Sequence, residues 1–124
     1  MTERLGYNVH QIYYDATVAF HMDAIVGLVK PGTIAIPEDA LFEMPEYLKN
    51  NFDVIWTPRD EAAQNFGCNM VNVNDNTVIL NSRAEKTIKL LKEKAGVNVE
   101  AIEYQIGADL GTGPWCSMCA IWRE

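Results

Sequence analysis

The stretch Val71-Asn72-Val73-Asn74-Asp75-Asn76-Thr77-Val78-Ile79-Leu80, followed by Ser82-Arg83-Ala84-Glu85 and a lysine-rich run to Gly96, decides how this chain is read. Val71 and Val73 alternate with Asn72 and Asn74, Asp75-Asn76 supplies a two-residue turn, and Thr77 to Leu80 returns, which predicts a β-hairpin. Ser82 with Glu85 three residues on has the form of a capping box. Ala84, Ile88, Leu91 and Ala95 then share one helical face, lysines take the rest, and Gly96 is the expected C-terminal stop. Val97 to Tyr104 reads as the strand after the helix.

Upstream, the same order recurs. Lys30-Pro31-Gly32-Thr33 has proline to preset φ at the second turn position and glycine for the positive φ of the third, a type II turn joining Ala24–Val29 to Thr33–Ile36. A helix is expected over Pro45 to Asn50, with proline in its first turn, and a strand over Phe52 to Thr57, closed by Pro58. Val9, Ile12 and Tyr13 suggest an additional, ill-defined first strand. The turns at Pro31 and Asp75 are 44 residues apart and the strands at Asp53 and Asn98 are 45 apart, so the chain reads as two copies of a strand-strand-helix-strand unit. A final strand is expected from about Ser117 to Trp122. Units that cannot bury their own apolar faces usually stack with further copies.

The composition suits one globular α/β domain: 124 residues, 48% hydrophobic and 22% charged. That length buries enough surface for a core without disulfide or metal staples. Seventeen acidic residues against 10 basic ones, with no basic stripe denser than Lys86, Lys89, Lys92 and Lys94, leave no footprint for nucleic acid. An acidic surface suits small cationic ligands better. No stretch is apolar for long enough to span a bilayer or to form a signal peptide. Three cysteines are too few and odd in number for a disulfide scaffold, which makes a reducing cytoplasm the default expectation.

The residues with chemical potential gather at two places. Leu110-Gly111-Thr112-Gly113-Pro114-Trp115-Cys116 sets two glycines and a proline before a cysteine at the expected start of a strand, where a thiol can be exposed in a cleft. A tight turn leading to a buried cysteine is the plainer alternative. Cys116 and Cys119 also form a CxxC, but the expected strand after them does not fit a thioredoxin-like motif. A zinc site completed by Cys68 and His10 or His21 is a third possibility. Phe20-His21-Met22-Asp23 places a histidine two residues before an aspartate, on the same face if the segment is extended. A cysteine and a distant histidine together make the kind of pair used in covalent catalysis.

Phe20-His21-Met22-Asp23-Ala24, Lys30-Pro31-Gly32, Cys68-Asn69-Met70-Val71 and Leu110 to Cys116, in this order and spacing, resemble the C-terminal part of the glycine amidinotransferase family, from about Tyr7 to Arg123. The resemblance implies the pentein fold, a five-bladed α/β propeller, here as two modules (about 8–58 and 68–104) and a final cysteine strand (110–124) within a single domain. It also implies guanidine chemistry without a cofactor or metal. Cys116 would match the nucleophile that forms a covalent amidino-cysteine with arginine, His21 the acid-base group, and Asp23 a carboxylate that binds the cationic substrate.

The departures are specific. A second catalytic carboxylate, upstream of the histidine in the family, has no match in these residues. The family's serine pair is matched by Ala62 and Ala63, an arginine falls near Ala40, the middle glycine of its glycine run is Thr112, and the histidine beside its cysteine is Trp115. Sheet edges left open by a partial propeller imply a homo-oligomer or a partner supplying further modules. Expected ligands are arginine-like guanidino compounds, with no nucleic acid and no membrane. The alternative is a non-catalytic small-molecule-binding or protein-interaction module of the same descent.

Overall fold

The computed structural model describes residues 6–119. It contains two three-stranded sheets of the same design. In the first, β1 (Gly27–Lys30) pairs antiparallel with β2 (Thr33–Pro37), and β2 pairs parallel with β3 (Asp53–Thr57) after the crossover helix α1 (Glu46–Asn51). Helix α2 (Arg59–Asn65) leads into the second sheet, in which β4 (Val71–Asn74) and β5 (Thr77–Asn81) form the hairpin. There α3 (Glu85–Leu90), continued by a π-helical turn over Leu91–Ala95, crosses to β6 (Asn98–Ile102), parallel to β5. A last helix, α4 (Gln105–Asp109), and a 3-10 turn at Trp115–Ser117 complete the described chain.

The repeat extends to individual hydrogen bonds. Gly27 faces Ala35 as Val71 faces Ile79, and both hairpins shift register at the same place, between Leu28 and Lys30 and between Asn72 and Asn74. Asp53 N donates to Gly32 O as Asn98 N donates to Asn76 O, both at 2.8 Å. Gly32, at φ 75°, takes the left-handed conformation expected of the Pro31-Gly32 turn, and Gly96, at φ 66°, ends the helix of the second unit.

Several expected details differ. Residues 7–13 form no strand, and only Tyr14 makes an isolated bridge, to Leu41. The first hairpin strand begins at Gly27, because Met22–Ala24 turns as a 3-10 helix. Ser82 does not cap α3: its hydroxyl is directed to Glu103, Ala84 holds the N-cap position, and no side chain there bonds the helix. The cap comes instead from Glu61 at the buried face of α2, whose carboxylate accepts from Lys86 N at 2.9 Å and from Thr87 N and Oγ1 at 2.8 Å. A carboxylate at a helix start satisfies donors that the helix itself leaves open. Ser117, expected to open a final strand, closes the 3-10 turn, and Ala120 to Trp122 lie outside the described residues.

The first sheet has one face for its own helix and one for the second unit. Ile34 and Ile36 pack with Leu48 of α1, while Ala35 and Ile55 on the opposite face join Val78, Leu80 and Leu91 of the second unit in the main core. The inner strands β1 and β4 lie side by side, tied by Asn72 Nδ2 donating to Val29 O at 2.8 Å. A Cβ at Gly27 would overlap the Cys68 carbonyl, so glycine is what lets the two units approach this closely. Among the described residues no helix is long and apolar enough to cross a membrane.

Candidate active site

His21 is the extended residue before the Met22–Ala24 turn, and Asp23 sits inside that turn. The expected shared strand face is therefore absent. The turn is anchored by Ala24 and Ile25, buried among Val18, Ala19, Ala40 and Ala62, and this leaves the His21 and Asp23 side chains at the surface of the core. Cys116 occupies the 3-10 turn after Pro114 and is exposed, which corrects its expected place at a strand tip.

From two turns far apart in sequence the fold brings His21, Asp23 and Cys116 to one cavity of about 160 Å3, walled by Phe20, Ala24, Phe66 and Gly111. Cys116 Sγ donates to Asp23 Oδ2 at 3.2 Å. Buried Asn69 joins them: its Nδ2 donates to the same carboxylate oxygen at 3.0 Å and to Asp23 O at 3.2 Å, while its Oδ1 accepts from Cys116 N at 3.2 Å. Asp23, Asn69 and Cys116 thus form a closed triangle of hydrogen bonds. Gly113 makes room for it, since a Cβ there would overlap the Asn69 side chain, and Gly111, at φ 83°, turns the chain into the segment.

Sequence reasoning assigned Asn69 no role. Its signal was an asparagine before a strand, and only the fold reveals that it is fully buried between two units. Ala40 and Ala62, matched to polar family residues, are packed in the core and do not line the cavity. Ala63 is exposed on α2.

The other cysteines play different parts. Cys68 is fully buried beside Thr57 Oγ1 at 3.1 Å, and burial pushes its thiol up to about 12, so it is unreactive at neutral pH. Cys119 is exposed. Among the described residues no three His, Cys, Asp or Glu side chains come together as metal ligands, and the zinc alternative is not formed by Cys68, His10, His21, Cys116 and Cys119.

No protein-family model and no curated protein sequence matches the chain. Solved structures do. SxtG, an amidinotransferase from Microseira wollei in the saxitoxin biosynthetic pathway, matches at TM-score 0.77 and 20% identity over 92% of this chain and 34% of its own. The inosamine-phosphate amidinotransferase StrB1 from Streptomyces griseus matches at 0.71 and 23% identity, over 90% and 34%. ArgZ, an arginine dihydrolase from the ornithine-ammonia cycle in cyanobacteria, matches at 0.72 and 21% identity, over 85% and 17%. The chain spans about a third of the length of the first two, and it carries in part the α/β pentein fold of these amidinotransferases.

Proposed function

We propose that the chain acts on arginine or a related guanidino compound through a covalent amidino-cysteine at Cys116. The observation that carries this is the convergence of Cys116, His21 and Asp23 on one small cavity. Asp23 exchanges the Cys116 thiol hydrogen bond for two guanidinium N–H groups, which fixes the planar cation beside Sγ. His21 takes the thiol proton, the thiolate forms a bond to the guanidinium carbon, and the carbon–nitrogen bond to the leaving amine breaks as His21 returns the proton to that amine. An incoming amine or water, deprotonated by His21, then displaces the thiolate. Transfer and hydrolysis differ only in that second nucleophile.

A second carboxylate for the far edge of the guanidinium comes in this reading from further pentein units, in a homo-oligomer or a partner, with the chain as a single two-unit domain in the cytoplasm. The test is release of the amine product, ornithine from arginine, by the assembled protein. His21→Ala and Asp23→Asn should each lower it by roughly 100-fold or more, the scale of a positioned acid-base group. Unchanged release in both variants would overturn the assignment.

The second reading is a binding module without catalysis. It is favoured by the burial of Ala40 and Ala62, which leaves the positions matched to polar family residues without polar groups. It predicts that guanidino compounds bind without altering Cys116.

A further inference from the structure

Asp23 stands on the wall between two cavities. A larger one of about 340 Å3, which Cys116 does not line, opens at β1 and β4 and is lined by Val26, Leu28, Met70 and Trp115. Apart from the Trp115 indole N–H, its polar side chains are Asp23 itself and Asn72. Asn72 has both amide hydrogens engaged, donating to Val29 O at 2.8 Å and to Asn74 O at 3.2 Å, which leaves it a carbonyl oxygen. This cavity therefore presents a cation acceptor in Asp23, an acceptor oxygen in Asn72, a neutral donor in the Trp115 indole and otherwise apolar side chains. Among the described residues neither cavity is lined by lysine or arginine.

We infer that the preferred ligand is a guanidinium with an apolar substituent, an alkyl- or arylguanidine without a carboxylate, held at Asp23 with its tail between β1 and β4. The inference rests on the guanidine reading above and adds the substrate class. The carboxylate of an amino-acid substrate placed in this cavity would give up its hydration for walls without a cationic side chain, and it would lie near the Asp23 charge. An aryl or alkyl tail meets Trp115, Met70 and Leu28, burying apolar surface on both sides, and the Trp115 ring is open to a cation or an aromatic partner. Size agrees as well, since the volume lies in the range of small-molecule pockets.

The experiment measures alkylation of Cys116 by iodoacetamide, read by peptide mass, with benzylguanidine, arginine or neutral benzyl alcohol present. Benzylguanidine should protect Cys116 at concentrations about 10-fold lower than arginine, and benzyl alcohol should not protect at those concentrations. Leu28→Arg, a change at a position 48% exposed, should narrow or reverse the preference by supplying a cation for the carboxylate. Arginine protecting as well as benzylguanidine, or an unchanged preference in Leu28→Arg, would overturn the substrate class while leaving the guanidine reading in place. Failure of both guanidines to protect, with no adduct at Cys116, would overturn the guanidine reading and this inference together.

Discussion

Asn69 holds the two groups that matter most here with one amide. Its Nδ2 and Oδ1 tie the Asp23 carboxylate to the Cys116 backbone across three turns that are far apart in sequence. Asn69→Ala removes a buried donor and acceptor at once, and the expected loss is about 1–3 kcal/mol in urea unfolding, with faster, less protected alkylation of Cys116 in the native state. Gly113→Ala should cost a similar amount, about 1–3 kcal/mol, because its methyl has to displace that same side chain. Native alkylation also separates the three thiols: Cys116 and Cys119 should react with iodoacetamide, whereas Cys68 should stay unmodified until the chain is unfolded. Reaction of Cys68 under native conditions would contradict its burial beside Thr57.

At the scale of elements, the joints between units rest on long-range polar contacts. Glu61 caps α3 from α2, and Glu61→Ala leaves the Lys86 and Thr87 amides without their carboxylate; unfolding by urea should register a loss of roughly 1.5–3 kcal/mol, the worth of hydrogen bonds to a charged group. The N-terminal segment is pinned in another way. Thr17 donates from both side chain and backbone to Asp15, and Arg59 adds a contact at 2.5 Å, so the Asp15 carboxyl is held below its usual range, at about 2. A depressed acid stabilises the fold fully above its ordinary value of 3.8 and ceases to do so as pH falls through about 2. Comparison of urea midpoints should therefore show wild type losing its advantage over Asp15→Asn within that window and nowhere above it.

These contacts also mark where sequence reading stopped. Both hairpins, the Pro31-Gly32 turn and the Gly96 stop were legible because each depends on neighbours in the chain. Helices α2 and α4 were not, being too short for an apolar period to accumulate, although Asp60 and Glu61 after Pro58 are an acidic helix start. Ser82 misled for the converse reason: a local capping pattern was overridden by Glu61, 24 residues upstream of Glu85. His21, Asp23 and Cys116 were identified singly, but the spacing of the first two suggested a strand face, and the buried anchors Ala24 and Ile25 impose a turn instead.

On the scale of the whole molecule, the two units differ in what covers them. Ala35 and Ile55 of the first sheet are buried under the helix of the second unit, whereas their counterparts Ile79 and Glu100, with Ile102, meet no such helix among the described residues, and Ile102 is 38% exposed. Under the proposed assembly another unit packs there. Sedimentation should then give a mass that is a multiple of 13.9 kDa, and Ile102→Lys should shift it toward a single chain. A single-chain mass for wild type at every concentration would remove self-association and leave a partner as the source of the second carboxylate.

The central claim, that Cys116 is the nucleophile of a guanidine-processing site, is most directly tested by intact and peptide mass after incubation of the assembled protein with arginine and with benzylguanidine. The account predicts one amidino group per chain, mapped to Cys116, absent in Cys116→Ala and strongly reduced in His21→Ala. No adduct with either compound, or an adduct on Cys119 that persists in Cys116→Ala, would contradict it.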